Sequence, residues 1–247
     1  LTTLPIHILP QPNDTTCGPT CLHAVYRYFG DEVDLDEIIQ GIERVEGGGT
    51  LAPFLGIHAL RRGYDATLFS FNLNVFDPTW FGPDVPDLAE RLEARARHKQ
   101  STKMRAAIRA YREFLALGGK IRMEDLSPSL LRRYLRKNIP ILTGLSATYL
   151  YRIPREFGPK DDYDDIKGDP SGHFVVLAGI DTESGEVAIA DPLFPNPAFQ
   201  KQQRYRIPLA RVVTAILLGV MTYDANLLIL TNKAQASASR ILGETLS

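Results

Sequence analysis

The chain has 247 residues, 44% of them hydrophobic and 23% charged, with a formal net charge of −1. Such a make-up belongs to an ordinary globular protein with ample core, and the near-zero charge gives no electrostatic reason to invoke nucleic acid or another polyanion. Two cysteines four residues apart, Cys17 and Cys21, are no disulfide framework; they fit a reducing compartment, so a cytoplasmic setting is expected.

The opening Leu-Thr-Thr-Leu-Pro-Ile has neither the basic flank nor the apolar core of a signal segment. A first helix is expected from Thr16 or Cys17, with Pro19 tolerated in its first turn and Cys21, Leu22, Val25, Tyr28 and Phe29 at helical spacing before Gly30. A second should cover Leu35–Ile42. After a loop at Gly47-Gly48-Gly49, Thr50 is expected to cap a third helix carrying Leu51, Phe54, Leu55 and Ala59, stopped by Gly63. Ala66–Phe71 reads as a strand.

The segment 76–125 changes character. Asp77-Pro78 and Gly82-Pro83 open it, and two charged helical patterns follow near Asp87–His98 and Thr102–Leu117. It reads as a helical insertion with a solvated basic face, or as a docking surface for an acidic protein partner. Ser127-Pro128 then caps a compact helix with Leu130, Leu131, Tyr134 and Leu135 in one stripe.

Beyond that helix the pattern is of strands: Ile139–Leu145, His173–Ile180, Val187–Ala190, Gln203–Ile207 and Asn226–Thr231. Ser184-Gly185 is placed as a hairpin turn, and Leu209–Leu218 as a helix. Val212–Met221, the longest apolar run, is shorter than the roughly 18 residues a membrane span needs, so none is expected. Helices first and an antiparallel sheet afterwards predict an α+β fold, its N-terminal helical lobe packed on the sheet. One domain should cover 1–232, with 233–247 as a tail.

The chemistry gathers at the seam between the two lobes. Cys17 at a helix N-terminus would have its thiolate favoured by unpaired backbone N–H groups. His173 begins one strand and Asp191 ends the next, so a hairpin turning near Ser184 makes them spatial neighbours, though sequence leaves the register open. His173 would serve as base and then acid, Asp191 would orient it, and the Cys17 N–H with the Gln11 amide could receive the oxyanion. These parts suit attack on a peptide or amide carbonyl through a thioester acyl-enzyme, resolved by water or by an acyl acceptor. A non-catalytic peptide-binding module is the alternative from another class.

Gln11, Cys17-Gly18-Pro19, Cys21-Leu22 and Tyr28-Phe29-Gly30, followed by Gly172-His173-Phe174-Val175-Val176-Leu177, Gly179-Ile180-Asp181 and Ala190-Asp191-Pro192, resemble the two motifs of the papain-like cysteine peptidases that remove double-glycine leaders from bacteriocin precursors. The resemblance covers residues 5–70 and 138–225. It implies a bacterial, papain-like thiol protease with Cys17 as nucleophile, Gln11 in the oxyanion hole, and His173 and Asp191 as base and orienter. The exporter and ATPase to which well-known members are fused are not found in this chain.

Other readings of these residues are blander. Cys21, one turn on from Cys17, reads as core. His23 and His58 read as surface or satisfied core residues, and His7 and His98 have no partner pattern. Two cysteines and a histidine without a second close pair do not make a zinc site, so no metal or cofactor is expected. Asp181 rivals Asp191 but sits at the hairpin turn. The run Asp161-Asp162-Tyr163-Asp164-Asp165 reads as a solvated loop, or as a rim attracting cationic substrates.

Overall fold

Helix α1 (Cys17–Tyr28) begins at the cysteine and buries Cys21, Leu22, Val25 and Tyr26. Gly30 follows at φ +77, the left-handed conformation in which glycine carries no Cβ penalty. In α2 (Leu35–Gly41) the Asp34 carboxylate caps by accepting from Asp36 N. Helix α3 (Ala52–Arg61) corrects one expectation: Leu51 holds the N-cap position, and Thr50 instead donates its hydroxyl to Glu43 O at 3.0 Å. The computed structural model describes residues 3–45, 49–82, 87–99, 101–181 and 183–232. The 233–247 tail and part of the expected triple-glycine loop lie outside them.

Strand β1 (Asp65–Ser70) leads through a 3-10 turn at Pro78–Phe81 to α4 (Leu88–Arg97), α5 (Thr102–Ala116) and the short β2 (Lys120–Arg122). Helix α6 (Pro128–Leu135) starts at Ser127, whose hydroxyl accepts from Leu130 N, and buries the expected stripe. Then come β3 (Ile141–Ser146), α7 (Ala147–Tyr151), a small hairpin of β4 (Glu156–Phe157) and β5 (Asp162–Tyr163), β6 (Gly172–Asp181), β7 (Glu186–Ala190), β8 (Arg204–Pro208), α8 (Leu209–Leu218) and β9 (Asn226–Thr231).

The main sheet runs β2-β1-β9-β3-β6-β7-β8 and is antiparallel except for the β1–β2 pair. Helix α1 packs against β6 and β3, and α8 lies against β3. The fold is α+β, with the early helices and the sheet sharing one hydrophobic core. Among the described residues no helix is long and apolar enough to cross a membrane.

The segment 76–125 is built into that core. Helix α5 buries Met104, Ile108, Tyr111 and Phe114, and the Phe114 ring packs so closely on α3 that a Cβ at Gly56 would lie 2.5 Å from it. Its arginines face outward, where Arg109 pairs with Glu43 and Arg112 with Glu93. The acidic run is largely exposed, as expected of a solvated loop, and is also regularly hydrogen-bonded. Asp162 and Tyr163 form β5, and the Asp164 carboxylate accepts from Ile166 N and Lys167 N, both at 2.9 Å.

Candidate active site

Cys17 occupies the first position of α1, where the backbone N–H groups have no intrahelical acceptor. Thr16 does not cap them. Its hydroxyl donates instead to Asn13 O at 2.9 Å, which fixes the 13–16 turn. The donors of the first turn are thus left for a negative charge at or near the sulfur.

Register brings the other two groups together. Residues of β6 and β7 pair Val176 with Ala190, so Asp191 falls opposite Val175, two residues from His173 and on the same face. A bulge between Leu177 and Gly179 sets this parity. Without the extra residue Asp191 would fall opposite Val176, and His173 would point to the other face of the sheet. With it, His173 Nε2 lies 2.9 Å from Asp191 Oδ1, both side chains buried. The other ring nitrogen is left for Cys17, which lines the same cavity as His173 and helps to raise the imidazole.

Asp191 is enclosed by donors. Leu193 N donates to Oδ1 at 2.9 Å; Tyr151 (2.6 Å), Asn196 Nδ2 (3.1 Å) and Tyr205 donate to Oδ2. Burial pushes both tyrosine phenols well up, followed by the Asp191 charge, so they stay protonated donors. For Asp191 itself burial acts upward, but the His173 charge and hydrogen bond and the two tyrosines outweigh it and hold the carboxyl below its ordinary value. For His173 burial acts downward; Asp191, by charge and hydrogen bond, and then Cys17 push the imidazole up to about 10. The pair is therefore imidazolium and carboxylate across neutral pH.

Gln11 is tethered beside the same array, its N–H donating to Pro192 O at 2.9 Å. One side-chain N–H holds Asn13 O at 3.0 Å, while Oε1 is buried without a hydrogen-bond partner among the described residues. Two cavities meet at His173. One, about 240 Å³, contains Cys17, Thr222 and Asp224; the other, about 540 Å³, contains Gln11, Tyr151, Glu156 and Asn196. Gln11 lines the second of these cavities and Cys17 the first, and Asp14, Gly172 and His173 belong to both.

The remaining candidates separate clearly. Cys21 is fully buried and donates to Phe174 O at 3.2 Å; burial, then Cys17 and Asp191, raises its thiol well above the ordinary range. Asp181 turns the hairpin by accepting from Glu183 N and Ser184 N. His58 Nδ1 meets the Tyr26 hydroxyl at 2.9 Å and His7 Nδ1 meets Arg204 at 3.0 Å. His23 is a buried histidine that makes a backbone hydrogen bond with Val33, while its Nδ1 has no partner among the described residues. No group of three or more metal-ligating side chains occurs among the described residues. Tyr151 and Tyr205 escape sequence reading because they are distant from Asp191 along the chain, and Asn196, five residues after it, because nothing in its type marks a partner; their hydrogen bonds to Asp191 expose all three.

No protein-family model matches the chain, and no curated protein matches it by sequence. Among solved structures, the chain is similar to a putative C39-like peptidase from Bacillus anthracis (TM-score 0.48, 14% identity, covering 93% of this chain and 96% of that one). It is also similar to xylellain, a cysteine protease from Xylella fastidiosa (0.45, 14%, 92% and 83%). A third likeness is to a double glycine motif protease from an AMS/PCAT transporter in complex with the leader peptide (0.44, 14%, 94% of each chain). At these values the functional assignment rests on the geometry above.

Proposed function

We propose that the protein is a cysteine-dependent peptidase or amide hydrolase of the papain-like kind. The observation that supports it best is a buried imidazole held between a helix-terminal thiol and a carboxylate with four further donors. A buried ion pair with so complete a shell is what a tuned acid–base group requires.

In this reading Cys17 Sγ, its proton held by His173, attacks the carbonyl carbon. The resulting oxyanion is met by backbone N–H at the start of α1 and by the free amide hydrogen of Gln11. His173 then gives its proton to the leaving nitrogen as the C–N bond breaks, which leaves a thioester on Cys17. Water, deprotonated by His173, hydrolyses that ester and restores the thiol. Asp191 keeps the ring oriented and its cationic form stable throughout. The catalytic unit would span residues 1–232, with 76–125 as a helical elaboration open to a protein partner. The free thiol suits a reducing, cytoplasmic setting.

The test is selective alkylation. Limiting iodoacetamide at neutral pH is expected to modify Cys17 and spare Cys21, and the Cys17 rate should fall by at least about tenfold in His173→Ala. Cys17→Ala should abolish turnover of a peptide pool, whereas Cys21→Ala should keep most of it. Equal modification of both cysteines, or equal loss of activity in both variants, would refute the assignment.

A further inference from the structure

Asp224 takes no part in the chemistry just described, yet it lies in the cavity that holds the thiol. The residue is only 6% exposed. Among the described residues its carboxylate has a single hydrogen-bond donor, the Thr222 hydroxyl at 2.5 Å to Oδ2, which leaves Oδ1 without one. Lys103 lines the same cavity but does not pair with it; the ammonium sits over the Tyr223 ring, 5.1 Å from its centre. A buried carboxylate with one neutral partner is costly to keep unless something else meets it.

The surrounding chain makes room for this group. A Cβ at Gly172 would lie 2.1 Å from Asp224 Oδ2, and one at Gly144 would lie 2.8 Å from Asp224 Cβ. The residue preceding His173 is thus a glycine because the acid occupies the space of a side chain. Burial pushes the Asp224 carboxyl up to about 7, opposed by the Thr222 hydrogen bond and the charges of Lys103 and His173. A bound cation would hold it ionised. Asp14, exposed at the mouth of the cavity, adds a charge of the same sign.

We propose that the cavity beside Cys17 is the specificity pocket for the acyl portion of the substrate, and that Asp224 selects a lysine or arginine side chain there. This rests on the thiol chemistry assigned above, because the acyl portion is the part that becomes bonded to the sulfur in the same cavity. A volume of about 240 Å³ suits one long side chain rather than a whole ligand. Asp224 is the specificity-determining residue, and Lys103 a competing cation at its side.

Peptidyl acyloxymethyl ketones test this without the natural substrate. Two matched sets would carry lysine or its uncharged isostere norleucine at each of the two positions preceding the ketone, and Cys17 labelling would be followed by mass spectrometry. The lysine probe is expected to label Cys17 at least about tenfold faster at one position, the yield of one charged hydrogen bond. Asp224→Asn should bring the ratio to about twofold or less with the norleucine rate little changed. Lys103→Met should widen the wild-type ratio and gives an independent reading should Asp224→Asn fold poorly. Equal labelling by both probes, or a lysine preference that survives in Asp224→Asn, overturns the pocket alone. An unchanged or narrowed ratio in Lys103→Met also counts against it. Labelling of Cys17 by neither probe overturns the thiol reading itself, and the pocket with it.

Discussion

His173 and Asp191 titrate in opposite directions from their ordinary values, and each shift has a consequence for pH. The imidazole, raised to about 10 from 6.5, contributes stability that is complete below about pH 6.5 and lost as pH rises through about 10. The Asp191 carboxyl is lowered, so its contribution is present above the ordinary carboxylate value near 3.8 and lost as pH falls through its folded value. Activity should follow the same cation: kcat/KM is expected to keep a basic limb near pH 10, where His173 loses the proton the leaving nitrogen needs. Asp191→Asn should move that limb to lower pH and reduce kcat by on the order of 10⁴, as in other enzymes whose imidazole loses its orienting carboxylate. A limb unmoved in this variant would remove Asp191 from its role. Tyr205→Phe deletes one charged hydrogen bond to the same carboxylate, and chemical denaturation should record a loss of about 1.5–3 kcal/mol. That Cys17 starts a helix and that His173 neighbours Asp191 could be read from the sequence, because both follow from the pattern of helix and hairpin. The tyrosines could not, since a buried Tyr reads as core until its hydroxyl is seen to meet an acid.

Helices and strands were legible where one periodicity ruled. Leu209–Leu218 and Asn226–Thr231 coincide with α8 and β9 at both ends. The missed elements are short: β2 has three residues and α7 has five, too few for either period to show. Register was beyond reach for a different reason. One extra residue near Ala178 decides which face His173 and Asp191 share, and nothing in Leu177-Ala178-Gly179 marks a bulge beyond the glycine. The 76–125 segment carries a prediction of its own. Its charge suggested a solvated insert, whereas Phe114 is fully buried against Gly56. Phe114→Ala should therefore destabilise the fold by about 3–5 kcal/mol in denaturant unfolding, while an ornamental insert would lose under about 1 kcal/mol.

Across the whole molecule, the candidate site sits where the N-terminal helix meets the sheet, with two cavities that share His173 in their lining. The second cavity is rimmed by Glu156 and Asp161 beside the β4–β5 hairpin, so rim charge should speed the encounter with cationic substrates more than it strengthens binding. Replacing Asp161, Asp162 and Asp165 by asparagine, while leaving the turn-forming Asp164, is expected to weaken the salt dependence of kcat/KM; an unchanged salt response would make the acids merely solvated. Covalent chemistry at Cys17 can be read by intact-mass measurement during reaction with a peptidyl p-nitrophenyl ester. The expected result is a burst of nitrophenolate together with an acyl adduct on the peptide containing Cys17, both absent in Cys17→Ala. Nitrophenolate release that continues in Cys17→Ala, or an adduct carried on another residue, would contradict it.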